Sequence, residues 1–178
     1  MSPHLALTSV PPWAVDLVRP PADLSGRSWT VLAIGAAAEP IARQWLAEIA
    51  EQRPDAPVRV HQVPDAEAAC AALHADLAGA VVGWRLLLAG PAHACLRVRS
   101  AAMAAGVGDD EMTIASTEVS TREIFCPHCK HTTVAEVELT DEMPCAGCGR
   151  VLFVHYHVSR RLGAHLGFAI HADRQVTP

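Results

Sequence analysis

Two cysteine pairs, Cys126-Pro127-His128-Cys129 and Cys145-Ala146-Gly147-Cys148, constrain this chain more than any other feature. Each has the form C-x2-C, and fifteen residues lie between them. That spacing lets two short knuckles present four thiolates tetrahedrally to one ion, as in zinc ribbons and rubredoxin-like sites. The expected metal ligands are therefore Cys126, Cys129, Cys145 and Cys148. Four-cysteine zinc is closed to water and substrate, so a structural role is its default. A rubredoxin-like iron held by the same thiolates is the alternative, because softness and geometry do not separate the two. His128 and His131 adjoin the first knuckle and read as exposed neighbours rather than ligands.

The chain has 178 residues, enough for one ordinary domain or two small ones. Just over half of it is hydrophobic (51%) but only 4% aromatic, so alanine supplies much of the apolar content and closely packed helices are expected. The formal charge is −5, and residues 1–120 hold eight basic against thirteen acidic side chains. No basic stripe suited to phosphate neutralisation is present, which argues against nucleic acid as a partner. The N-terminus lacks the basic and apolar regions of a secretory leader. The apolar run from Ala78 to Ala89 is too short to span a bilayer. A cytoplasmic protein without membrane contact is expected, and its reduced thiols favour metal ligation over disulfides. Cys70 and Cys95 stand alone and read as small core residues.

Residues 1–27, with Pro11-Pro12 and Pro20-Pro21, read as an extended arm that includes a short strand at Leu5–Thr8. Regular alternation begins at Trp29–Ile34, an apolar run expected to be a buried strand. Pro40 to Gln52 places Ile41, Trp45 and Ile49 on one helix face. Val58–Val63 follows as a strand. Asp65 reads as the N-cap of a helix whose face carries Ala69, Cys70, Leu73 and Leu77. A strand at Arg85–Ala89, a helix from Ala92 to Ala105 and a strand at Met112–Ala115 complete a β-α-β-α-β-α-β order. The order predicts an α/β, Rossmann-like domain over residues 28–120, with a parallel sheet covered by helices. Beyond residue 120 the period changes. Val134–Leu139 and Val151–Val158 alternate, and each adjoins a knuckle, which predicts a small β-ribbon domain over 121–178. Ser159 is expected to cap a C-terminal helix through Leu162 and Leu166, ending near Gly167.

The segments Val31-Leu32-Ala33-Ile34-Gly35-Ala36-Ala37-Ala38-Glu39-Pro40 and Leu86-Leu87-Leu88-Ala89-Gly90-Pro91 resemble the nucleotide-binding half of the ferredoxin-reductase superfamily. The first is similar to that family's strand, Gly-rich turn and helix start, the second to its late strand ending in Cys-Gly-Pro. Ala36, Ala37 and Ala38 stand where glycines let the backbone approach a pyrophosphate, and Ala89 stands where the family has its cysteine. The resemblance therefore implies a degenerate scaffold that has lost its nucleotide.

The combination with Cys126-Pro127-His128-Cys129-Lys130, Cys145-Ala146-Gly147-Cys148-Gly149 and the run from His157 to Phe168 is more specific. It resembles the A-subunit family of dimethylamine monooxygenase over nearly the whole chain, although that family carries Ala-Tyr where this chain has Ala164-His165. The resemblance implies a subunit of a multicomponent oxygenase that uses NADPH and O2 to demethylate a secondary amine. Haem, flavin and an iron–sulfur cluster are then expected on partner subunits, together with NADPH. Within this chain His157, Ser159, Arg160 and Arg161 are candidates for docking a partner or cofactor, since two guanidiniums bind carboxylates bidentately. No residue reads as catalytic. A noncatalytic zinc-containing subunit is the leading expectation, a rubredoxin-like electron carrier the second and a nucleic-acid-binding ribbon the third.

Overall fold

The fold is that of a computed structural model, which describes residues 5–169. Four strands form a parallel sheet in the order β2-β1-β3-β4: β1 (Ser28–Ile34), β2 (Val58–Val63), β3 (Trp84–Pro91) and β4 (Met112–Glu118). Helices α1 (Glu39–Gln52), α2 (Ala66–Leu77) and α3 (Ala92–Ala104) make the crossovers. The chain moves one way from β1 to β2 and the other way from β2 to β3 and β4. Right-handed crossovers then put α1 on one face and α2 and α3 on the other. Two apolar clusters record this. Val31, Ala33, Leu87 and Ala89 pack with Ile41, Trp45 and Ile49. Leu32, Ile34, Leu86 and Leu88 pack with Leu73, Cys95 and Val98. Strands covered on both faces must be apolar throughout, which is why β1 and β3 read as unbroken hydrophobic runs. Cys95 is fully buried and Cys70 partly so, as small core residues. The Asp65 cap forms, its carboxylate accepting from the Ala68 N–H at 2.9 Å.

β4 runs three residues past the expected Ala115, pairing with β3 through a bulge at Gly90/Pro91. The N-terminal segment clasps both halves of the molecule. Trp45 and Trp29 donate their indole N–H groups to Pro20 O and Asp23 O, at 2.9 and 2.8 Å. Val18 pairs with Ser116 on the outer edge of β4. Leu5–Leu7 is a single 3-10 turn and not the expected strand: the Thr8 N–H and hydroxyl both donate to Leu5 O and close the chain on itself.

A second sheet follows in the order β6-β5-β9-β8-β7, built from β5 (Thr121–Phe125), β6 (Thr132–Glu136), β7 (Glu142–Pro144), β8 (Val151–Ser159) and β9 (Ala164–Ala169). The hairpins β5–β6 and β7–β8 each carry one cysteine knuckle at the tip. β6 ends three residues before the expected Leu139, although Leu139 itself stays buried.

The expected C-terminal helix is absent among the described residues, and strand β9 stands in its place. Ser159 does act as a cap: its hydroxyl accepts from Leu162 N and its carbonyl from Gly163 N, at 3.3 and 2.9 Å. Only one turn forms, because Gly163 then adopts φ +63°. The chain next enters the slot between β5 and β8, where Ala164, His165 and Gly167 are buried. Two waiting strand edges outweigh a local helix signal.

Gly163 also fixes the second sheet to α3. A Cβ at this position lies 2.5 Å from Leu96 O, and the Ser100 hydroxyl donates to Arg161 O at 2.8 Å. Substituting Gly163→Ala is expected to cost about 2–4 kcal/mol, combining left-handed backbone strain with a backbone clash. Chemical denaturation of the variant beside Gly149→Ala, which has positive φ but open space around it, separates the two contributions.

Candidate metal centre

The two knuckles are built alike. In the first, Lys130 N donates to Cys126 O and Cys126 N to His131 O, both at 2.9 Å. In the second, Gly149 N donates to Cys145 O and Cys145 N to Arg150 O, both at 2.8 Å. Lys130 and Gly149 occupy equivalent positions and both have positive φ, +66° and +71°. Backbone N–H groups are thereby turned inward around each sulfur. Gly147 lets the knuckles close: a Cβ there lies 2.7 Å from His131 Cβ and 3.2 Å from Cys129 Sγ.

The four sulfurs lie within 4.8 Å of one another. Cys126 and Cys148 Sγ are 3.9 Å apart, and Cys129 and Cys145 Sγ 3.6 Å. A tetrahedron with metal–sulfur bonds of about 2.3 Å has edges of about 3.8 Å, so the cage fits such an ion. The protonation states also fit one. Burial raises the Cys145 thiol, but the N–H groups of Gly147 and Cys148 and the neighbouring thiols outweigh it and bring it down to about 6. Cys129 moves the other way. The His131 N–H pulls it down, yet burial and the three other thiols push it up to about 12. A divalent cation would take all four as thiolates.

Cys126 and Cys145 are buried with Ile124, Leu139, Met143 and Leu152, while Cys129 and Cys148 are half-buried. His128 and His131 are exposed, and His131 packs over Gly147. The other candidates lie elsewhere. Strand pairing puts Phe125 beside Leu166, so the β8–β9 turn with Arg160 and Arg161 sits at the end of the sheet away from the knuckles. His157 lies between, exposed on β8, with Ser159 half-buried at the turn. The structure therefore does not bring Ser159, Arg160 and Arg161 together with the cysteines, whereas His157 shares a groove with Pro127 of the first knuckle.

At the carboxyl ends of β1 and β2 a crevice of about 310 Å³ is lined by Gly35, Ala36, Glu39 and Gln62. It lies on the β2 side of β1, whereas the point where the strand order reverses lies between β1 and β3. Here the first turn of α1 carries the Glu39 carboxylate, which pairs with Arg43 at 3.3 Å.

Two buried groups went unnoticed in the sequence. Arg122 looks like a surface cation but is enclosed between Ala14, Val137 and Glu138. His165 is buried, and its Nδ1 has no partner. Burial, reinforced by Arg122, holds its pKa down to about 4 from 6.5, although a main-chain bond to His155 opposes this. The folded state thus binds fewer protons at this site than the unfolded chain. Stability is expected to be undiminished above about pH 6.5 and to fall as the pH drops toward 4, by at most about 3 kcal/mol. Urea midpoints across that range for the wild type and His165→Gln isolate the contribution: the variant should show the shallower decline.

The fold and the site together define a four-cysteine ribbon joined to a Rossmann-like parallel sheet. Residues 123–168 match the family described as dimethylamine monooxygenase subunit DmmA-like, C-terminal domain. The heme-dependent oxidative N-demethylase delta subunit of Ectopseudomonas mendocina (strain ymp) is 37% identical over 102 residues, 57% of each chain. The match thus spans little more than half the length of that relative. No solved structure matches. No helix among the described residues is long and apolar enough to cross a membrane.

Proposed function

We propose that this chain is a noncatalytic subunit of a cytoplasmic, multicomponent oxidative N-demethylase, in which its four cysteines hold a structural zinc and its second sheet docks cofactor-bearing partners. The observation that carries the reading is the similarity to a subunit of a heme-dependent oxidative N-demethylase. The site supports it in two ways. Four thiolates complete a tetrahedral ion and leave no open position for substrate. The glycines that would let a backbone approach a pyrophosphate after β1 are replaced by Ala36, Ala37 and Ala38. Haem, flavin, iron–sulfur cluster and NADPH then belong to the partner subunits, and the substrate is dimethylamine or a similar small secondary amine. His157, Ser159, Arg160 and Arg161 serve as contacts to those partners and not as catalytic groups.

A second reading, an electron carrier with iron in the same site, is favoured by one observation. Cys129 and Cys148 are only half-buried, which brings one edge of the centre near the surface. NADPH-dependent formaldehyde release from dimethylamine, measured with this chain, with its partners and with both, tests the primary reading. Activity is expected to need the partners and to rise when this chain is added. Turnover by this chain alone would sink it.

A further inference from the structure

We propose that the groove beside the first knuckle docks an acidic segment of a partner subunit, an apolar side chain of that segment resting on Phe168 and its carboxylates meeting His155 and His157. The inference rests on the reading of this chain as a subunit of a larger complex.

The groove has a volume of about 430 Å³ and is lined by Pro127, His155, His157, Leu166, Gly167 and Phe168. A break in strand pairing creates it. Val154 faces Gly167 and Val158 faces His165, so three residues of β8 stand opposite the single Leu166 of β9. Such bulges re-aim side chains, and here both histidines are left exposed toward one groove. The bulge is held in place, because Val158 N donates to Ser9 Oγ of the N-terminal segment at 2.9 Å.

Phe168 is 66% exposed, in a sequence with only three phenylalanines. A solvated aromatic beside convergent polar groups is what a binding surface needs. The charge pattern selects the occupant. None of the lining residues is acidic. Lys130 stands at one end, its Nζ donating to Pro127 O at 2.7 Å. Arg160 and Arg161 follow His157 on the same hairpin and are exposed. Lys130, Arg160 and Arg161 flank a groove whose lining holds no carboxylate, which suits an acidic partner.

The test uses the full-length tagged chain in the cells that encode it. A photo-crosslinking phenylalanine analogue replaces Phe168 or, as reference, Val82, which is 92% exposed in the loop after α2. Position 168 is expected to crosslink to a segment rich in Asp and Glu on a co-purifying oxidoreductase subunit. Phe168→Asp should lower recovery of that subunit about tenfold or more. His157→Glu, an exposed change that does not threaten folding, should also lower it. Undiminished recovery with both variants, crosslinks from position 82 alone, or crosslinks from 168 to a second copy of this chain would overturn the groove while leaving the subunit reading intact. If no oxidoreductase subunit co-purifies with the unmodified chain, both fail.

Discussion

Replacing Cys126 or Cys145 by serine, or stripping the metal with a chelator, is expected to unfold the second sheet. Both cysteines are buried and belong to the same apolar cluster as Ile124, Leu152 and Val154. A metal held by these thiols would form part of the core. A structural zinc contributes about 10–16 kcal/mol of apparent folding free energy in small domains. A whole domain is stable by only about 5–15 kcal/mol, so its loss is decisive. The strand pairing around the knuckles is short: β7 is three residues long and β5 meets β9 through two residue pairs. Hydrogen exchange checks this residue by residue. Amides of β5 to β9 should lose protection in the chelated protein, while those of β1 and β3, enclosed between α1 and the α2–α3 pair, should keep it. Retained protection in the second sheet would mean that the thiols alone stabilise the ribbon.

The second large effect is expected at Arg122. Its side chain is only 3% exposed, and it donates to Val137 O at 2.8 Å and to Ala14 O at 3.0 Å. One guanidinium thereby joins the N-terminal segment, β5 and the turn after β6. Arg122→Leu strands two carbonyls in the interior and is expected to cost about 3–5 kcal/mol, since bonds from a charged donor are worth about 1.5–3 kcal/mol each. Lysine should not restore the loss, because an ammonium lacks the planar fork that reaches both acceptors. The ion pair with Glu138, at 3.3 Å, is a different matter. Glu138 is 73% exposed, so Glu138→Gln should change stability by less than about 1 kcal/mol. Denaturant midpoints of the three variants distinguish these outcomes. A loss in Glu138→Gln as large as in Arg122→Leu would contradict the assignment to the carbonyls.

The parallel sheet was legible because burial on both faces leaves a local mark. Val31–Ile34 and Leu86–Ala89 are unbroken apolar runs, and the Asp65 cap announces α2. The clustering of the four cysteines was legible because their paired C-x2-C spacing suits a tetrahedral cage. The second sheet was harder to read. β9 alternates in a misleading sense: Phe168 faces solvent while His165 and Gly167 are buried. It becomes a strand because β5 and β8, distant in sequence, leave a slot for it. Ser159 gave a true capping signal, but Gly163 ends the helix after one turn, and no local pattern reports the α3 backbone that excludes any larger residue there. Lys130 was recoverable in principle. Aligning the two knuckles sets it against Gly149, the position that needs positive φ. The groove was not recoverable, since it arises from a register shift between β8 and β9, and register is a tertiary property.

The metal content and visible spectrum of the full-length chain, purified without added metal, test the central claim most directly. One zinc per chain and no visible absorption are expected, as for a closed structural centre in a docking subunit. One iron per chain, with a red colour bleached by dithionite, would contradict the account and place this subunit in the path of electrons.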